Sequence, residues 1–416
     1  MIASIIEQAA RREFTRALRF EAGKPPQLPP PGAARPRLLY LHIPFCEQLC
    51  PYCSFNRVVF AEDLCRAYFA ALRKEILLYK GLGYDFNGVY IGGGTPTVLI
   101  DELAETIRLL RATFAIRELS LETNPNHLTV ERLAILEEAG VDRLSVGVQS
   151  FDDGLLQKMD RYEKYGSGAE IADRLKQALG RFKTVNADMI FNFPSQTEAM
   201  IEKDLDTLLT IGIDQVTWYP LMVSDSTRQE VTKAFGAAGR GQEARFYRQI
   251  CSRLAPAYKF SSAWCFSKKE AMIDEYVVDY DEYAGLGSGS IGYLNGLCYA
   301  NTFDVGGYIA KVEQGELPLA AGRTFSLRDR IRYDFLMQLF GTRLDLVALE
   351  KKYGVALWRL WPDLWAFRLI GAVTREGFDL VLTAKGRYFW VILMREFFTA
   401  VNNFRDYCRG RKQTGE

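Results

Sequence analysis

Histidine is almost absent from this 416-residue chain, which has two, His42 and His127. That scarcity leaves little for axial histidine ligation of a haem. It also leaves little to complete a structural zinc site, which wants a closed set of four ligands. No stretch approaches the ~20 apolar residues of a membrane-spanning helix, and the N-terminal MIASIIEQAARREFTRALRF lacks the order of regions of a signal peptide. An excess of one charge is missing too. Lys and Arg number 52 against 51 Asp and Glu, a net charge of +1, so no global field recruits nucleic acid or an acidic membrane. Of the eight cysteines, Cys65, Cys251, Cys265, Cys298 and Cys408 are scattered, which is not the pattern of a disulfide framework. These absences point to a cytoplasmic protein.

What is present suffices for one large domain and a smaller one. Hydrophobic residues make up 48% of the chain and charged residues 25%, the composition of a globular protein with a substantial core. Residues 1–20 read as an amphipathic helix. The Pro-rich Gly23–Arg37 that follows is expected to be extended and semi-rigid, so residues 1–37 read as a helix and a linker, with the helix an appendage. From residue 38, short β-rich runs alternate with helical stretches such as Asp63–Tyr79 and Thr129–Ala139. Six strands are read: Leu38–His42, Gly88–Ile91, Leu119–Glu122, Arg143–Val148, Val185–Ile190 and Gln215–Tyr219. Such alternation signals βαβ units and a parallel sheet. It predicts an α/β partial barrel, (β/α)6, over residues 38–325, with its chemistry at the C-terminal rim of the strands. Residues 326–416 are helix-rich, with several Trp and a short hairpin at Gly371–Leu382, the pattern of a small winged-helix-like domain. Its mixed charges lack the basic stripe of a nucleic-acid binder. Tyr388–Met394 reads as a core helix.

The segment Tyr40–Phe55, YLHIPFCEQLCPYCSF, carries most of the chemical information. Cys46, Cys50 and Cys53 form C-x₃-C-x₂-C and offer three thiolates from one loop. A cubane 4Fe–4S cluster ordinarily takes four cysteines; three leave one iron open, as a catalytic metal keeps a free position. A structural zinc site and unrelated core cysteines are the alternatives, and Cys65, in a helical stretch, is a poor fourth ligand. Tyr52, between the last two cysteines, could shield a cluster from water. GGGTP, Gly92–Pro96, follows the second strand, and its glycines permit close backbone approach to a ligand. Later strand ends add Glu122, suited to a cationic ligand group, and Gln149 with Arg161, suited to ribose and carboxylate. Asp188, amid apolar neighbours, is costly unless partnered. Met222–Ser226 and Gly285–Gly292 are further places for close approach. Taken singly, each reads equally well as a solvated acid, a surface ion pair or core packing.

The cysteine triplet with GGGTP one β/α unit later resembles the radical S-adenosylmethionine (SAM) superfamily. In its members SAM chelates the open iron, and reductive cleavage yields a 5′-deoxyadenosyl radical. The succession HIPFC-x₃-C-x₂-C, GGGTP, LETNP, GVQSFD, DMIFNFP and GLGSGS, then IRYDFLMQLF, LDLVALEKKYGV and LTAKGRYF, is similar to the oxygen-independent coproporphyrinogen III oxidase family from residue 38 to about 408. The resemblance implies that Cys46, Cys50 and Cys53 bind the cluster. It implies that Tyr40, Gly93, Gly94, Thr95, Glu122, Gln149, Arg161, Asp188 and Ile190 contact SAM. One or two SAM molecules are implied, the second a methyl source in class C methyltransferases. So are a small-molecule substrate and an electron donor such as flavodoxin or ferredoxin.

Departures separate this chain from the namesake oxidases. Their cysteine motif continues to a fourth cysteine where this chain has Phe55, and their Pro- and Tyr-containing N-terminal signature is missing. The haem-chaperone branch usually places a His after the GVQSF helix, where MDRYEKYGSG has none. The leading expectation is therefore methylation of an sp² carbon with two SAM molecules. Tyr219 and Asp188, with Glu122, are the candidates for the catalytic base, and Trp218, Tyr219, Met222 and Tyr293 would suit a flat apolar substrate. The runner-up is oxidative decarboxylation of coproporphyrinogen III, whose four carboxylates call for a pocket rich in Arg or Lys. A non-enzymatic haem carrier is the third reading.

Overall fold

The strand Leu38–Ile43 (β1) is buried along its whole length, as a parallel strand covered on both faces must be. In the computed structural model, which describes residues 2–18, 20, 25–31, 37–237, 239, 241–269 and 280–414, β1 lies inside a twelve-stranded sheet. On one side follow Gly88–Gly93 (β2), Glu118–Thr123 (β3), Arg143–Gln149 (β4), Thr184–Phe191 (β5) and Gln215–Pro220 (β6). Each pairs parallel with its predecessor, with Leu38 opposite Gly88, Gly88 opposite Glu118, Arg143 opposite Thr184 and Asn186 opposite Gln215. The six expected strands are all present. Each runs at least one residue further toward the C-terminal rim than its apolar run suggested.

Beyond β6 the sheet turns antiparallel through Lys259–Phe260 (β7) and Cys265–Ser267 (β8). On the other side of β1 stands a seventh parallel strand, Tyr283–Leu286 (β9), then Ile291–Leu294 (β10), Leu297–Asn301 (β11) and Leu319–Thr324 (β12) in antiparallel succession. The order β12-β11-β10-β9-β1-β2-β3-β4-β5-β6-β8-β7 is linear, so the barrel is open. The sequence reading missed β9 because it is four residues long and runs into glycines.

Those glycines do not serve the rim. The Gly287 N–H donates to Glu75 Oε2 at 2.8 Å, and the Tyr308 hydroxyl and Asn301 amide donate to the same carboxylate at 2.6 and 3.0 Å. Glu75 lies on the helix Glu62–Gly81, behind β1, and is fully buried. Burial pushes its carboxyl up to about 7 against these three donors. On the other side, Asn56 of the cysteine loop donates to Ser288 O at 3.1 Å, and the Tyr68 hydroxyl donates to His42 O at 2.6 Å. The Gly-rich turn thus buttresses β1 and the cysteine loop from behind.

The helix Ile2–Ala17 is expected to be an appendage, but it lies along the C-terminal helix Ala384–Thr414. Ile6, Ala10, Phe14 and Leu18 recur every four residues and so share one face. Phe14 meets Phe397 edge-on at 5.5 Å, and Leu18 is buried with Ala400 and Val401. Arg11 pairs with the buried Glu396 at 2.9 Å, and Arg395 with Glu7 at 3.2 Å and with Glu243. Residues 1, 19, 21–24 and 32–36 of the expected helix and Pro-rich segment lie outside the described residues. In the last quarter of the chain the strands Arg343–Asp345, Asp379–Leu382 and Val373–Glu376 form a small antiparallel sheet flanked by helices, with the hairpin where the sequence put it. No described helix is long and apolar enough to cross a membrane.

Replacing Glu75 with Ala strands two buried donors, the Gly287 N–H and the Tyr308 hydroxyl, and takes one acceptor from the Asn301 amide. Unfolding in denaturant is expected to show a loss of about 2–4 kcal/mol, the scale of two unsatisfied groups.

Candidate active site

The C-terminal ends of β1–β6 open on one cavity of about 290 Å³. Cys46, Cys50, Cys53, Tyr40, Tyr52, Gly93, Gly94, Thr95, Glu122, Gln149, Arg161, Asp188, Ile190 and Tyr219 all border it, as does Met222. Trp218 and Tyr293 do not. Trp218 is buried on the opposite face of β6, and Tyr293 packs against Tyr333 at 4.4 Å in the antiparallel flank.

The cysteine loop leaves β1 at Pro44 and is closed by Phe45–Cys46 pairing with Val58–Val59. Arg57 holds it from within, donating to the carbonyls of Cys50 and Cys53, both at 2.6 Å. The Thr95 hydroxyl lies 3.8 Å from Cys46 Sγ, and Arg161 Nη1 lies 3.6 Å from Cys50 Sγ. Burial pushes the thiols of Cys46 and Cys53 up, the first to about 11, so a metal must displace their protons. All eight cysteines are free, and Cys65 does not border the cavity.

Neither histidine is spare. His42 Nδ1 meets the Tyr40 hydroxyl at 2.9 Å and its Nε2 the Asn56 carbonyl at 2.7 Å. His127 Nδ1 meets the Thr97 hydroxyl at 2.7 Å, with Glu47 at 3.5 Å from Nε2. Among the described residues no three His, Cys, Asp or Glu side chains close on a single-ion position. Three thiols bordering a wider space, with no fourth protein ligand, fit a polynuclear cluster with one open iron. Arg161 Nε, buried on the cavity wall without a hydrogen-bond partner, fits an anionic ligand beside it.

GGGTP serves the chain's own close contacts. A Cβ on Gly94 would lie 2.7 Å from Phe45 O and 2.9 Å from Cys46 Sγ, and one on Gly92 would lie 2.8 Å from the Glu122 carboxyl. Glu122 accepts from the Gly93 N–H at 3.0 Å and the Tyr90 hydroxyl at 2.8 Å. Asp188 accepts from Ser145 at 2.7 Å and Asn186 at 2.8 Å. Burial, reinforced by Asp188, pushes the Glu122 carboxyl up to about 7, and burial pushes Asp188 to about 6. The charge of Arg143 pulls both carboxyls down without outweighing burial. Gln149 stands at φ 71, at a bulge where the pairing of β4 with β5 shifts register, a strained conformation of the kind found at binding sites.

The sequence reading missed several wall residues. Tyr90 is the cross-strand partner of Tyr40, and the Asn124 amide donates to the Thr95 hydroxyl at 2.8 Å. Tyr165 lies under the Arg161 guanidinium at 4.1 Å. Phe398, Asn402 and Arg405 come from the C-terminal helix, and Arg405 covers the Phe55 ring at 4.9 Å. The period of Tyr90 with Gly92 was a usable signal for the first. Nothing local marks the helix residues as rim residues.

Gly94→Ala pushes a methyl group into the Cys46 turn. It is expected to lower iron and sulfide bound per chain several-fold after anaerobic reconstitution, with Cys65→Ser unchanged, as read by metal and sulfide analysis.

Comparison with known proteins agrees with this geometry. The family description "Radical SAM superfamily" matches residues 40–208. The chain is similar to the haem chaperone HemW of Bacillus subtilis, 30% identical over 346 residues, which are 78% of this chain and 89% of that protein. It is similar to the oxygen-independent coproporphyrinogen III oxidase of Pseudomonas aeruginosa, 24% identical over 85% of this chain and 84% of the relative. Its fold matches the solved coproporphyrinogen III oxidase (HemN) of Escherichia coli with a TM-score of 0.72 at 23% identity, covering 92% of this chain and 93% of that one. The chain therefore belongs to the radical SAM superfamily and, within it, to the family of haem chaperones and oxygen-independent coproporphyrinogen III oxidases.

Proposed function

We propose that this protein cleaves SAM reductively and methylates an sp² carbon of a flat, mainly apolar substrate with a second SAM. The observation that carries this reading is the composition of the outer cavity wall. Phe55, Tyr219, Leu221, Met222 and Phe398 are aromatic or apolar. Of the three arginines that line it, Arg57 is engaged with two loop carbonyls and Arg405 with Asn402 at 2.9 Å, and Arg161, bonded to Gly147 O and Cys50, keeps only its Nε for a ligand. Such a wall suits an apolar molecule better than one with four carboxylates.

A 4Fe–4S cluster held by Cys46, Cys50 and Cys53 would supply the electron for SAM cleavage. The chain's own residues do the rest. Gln149 and Arg161 are placed for ribose and carboxylate, and Glu122 with Asp188 for an ammonium or sulfonium group. Tyr52, packed edge-on against Phe193 at 5.6 Å, keeps water from the loop. Tyr219, one residue before the end of β6, lies beside Ile190 of β5 and, with Asp188, is the candidate to take a proton. Haem delivery, the activity named for the chaperone relatives, is the second reading, supported by the likeness to them. Against it, both histidines are buried and engaged, so axial histidine ligation is unfavourable.

Anaerobic turnover of the reduced, reconstituted protein with methyl-labelled SAM separates these readings. Substrate-dependent 5′-deoxyadenosine and S-adenosylhomocysteine, with label in the product, are expected. Carbon dioxide from coproporphyrinogen III with no transferred label would replace methylation by the oxidase reaction, and haem binding without SAM turnover would point to the carrier.

The pH dependence has a definite sign. Glu122 and Asp188 hold their protons more tightly folded than unfolded, so their contribution to stability is full below the ordinary values of 4.5 and 3.8 and is lost as pH rises through about 6 and about 7. A cationic ligand prefers both ionised. SAM affinity measured by calorimetry is therefore expected to rise over that interval, and Glu122→Gln to flatten the rise.

A further inference from the structure

An apolar face near the end of the chain is covered by no described residue. The turn Gly354–Leu360 and the helix Trp361–Leu369 run on without a break. One side packs inward: Leu360 is fully buried, and Phe367 meets Trp390 at 4.9 Å and Phe335 at 5.9 Å. The other side carries Trp358, Trp361, Trp365 and Leu369, which are 65%, 59%, 59% and 79% exposed. Their spacing of three or four residues stacks them in one stripe, and Val355 at its start is 94% exposed. An apolar stripe on a helix ordinarily faces a core or a partner. The other three of the six tryptophans, Trp218, Trp264 and Trp390, are buried, so exposure is confined to this stripe.

The charges around the stripe identify what covers it. Arg359 and Arg368 are exposed, and neither pairs with a described carboxylate. Asp363, the one acid in the turn and the helix, is held in a two-point contact by Arg332 at 2.9 and 3.0 Å. Exposed indoles interleaved with guanidinium groups match the boundary between acyl chains and phosphate headgroups. We propose that this face seats the protein on the surface of a bilayer containing anionic phospholipid, the indoles at headgroup depth and Arg359 and Arg368 against phosphates. Because the whole chain carries only +1, the attraction is local to this face. It stands independently of the reaction proposed above.

The full-length protein would be pelleted with vesicles of phosphatidylcholine alone and of phosphatidylcholine with an equal share of phosphatidylglycerol. Partition is expected only on the anionic vesicles, with a blue shift of tryptophan emission and a loss in high salt. Trp358→Ala with Trp365→Ala, and separately Arg359→Glu with Arg368→Glu, are each expected to weaken partition at least about tenfold at an unchanged melting temperature. The arginine pair keeps the test valid if the tryptophan pair folds poorly. No partition of the wild type, or equal partition of the wild type and the arginine variant, overturns the proposal. So does tryptophan-dependent self-association in sedimentation velocity without vesicle binding, which would assign the face to a second copy of the chain.

Discussion

The site depends on the contact between the loops that follow β1 and β2. The Gly94 N–H donates to Ile43 O at 2.7 Å and the Thr95 N–H to Phe45 O at 2.8 Å. With no side chain on Gly94, the two backbones approach closely enough for Thr95 to reach the Cys46 sulfur. The cysteine loop is therefore positioned by main-chain hydrogen bonds to the next strand, and the glycines that could cradle a ligand are first of all spacers between two parts of the chain. Their neighbour Glu122 is fixed by the same turn through Gly93, so one turn positions both the Cys46 thiol and this carboxylate.

A second constraint comes from far along the chain. An open barrel leaves its cavity without a wall on one side, and the C-terminal helix supplies Phe398, Asn402 and Arg405 there. Ser226 donates to Asp406 at 2.5 Å and the Asp225 N–H to Asn403 at 2.8 Å, joining the loop after β6 to that helix. The N-terminal helix holds it from outside through Arg11, Glu7 and the Phe14–Phe397 contact. Phe55 lies under Arg405 and so belongs to this wall.

The parallel core was legible because each strand is a short β-rich run between helical stretches, and the motifs sit where those runs end. The legible part of the site shares that logic: Tyr40, Glu122, Gln149, Asp188 and Tyr219 all lie on the six strands. Parity explains one error. Trp218 and Tyr219 are adjacent on a strand and must point to opposite faces, so both could not line the same pocket. Tyr293 and the GLGSGS turn were misplaced because a glycine-rich sequence reads alike whether it faces a ligand or a buried Glu75. The stripe on the first helix was visible, but its partner, nearly the whole chain away, was not.

That separation orders events during synthesis. The cysteines at positions 46 to 53 leave the ribosome some 350 residues before Phe398, Asn402 and Arg405. Until the final helix is made, the part of the wall that it supplies beside the thiols is missing. Docking of the last helix then narrows the entrance.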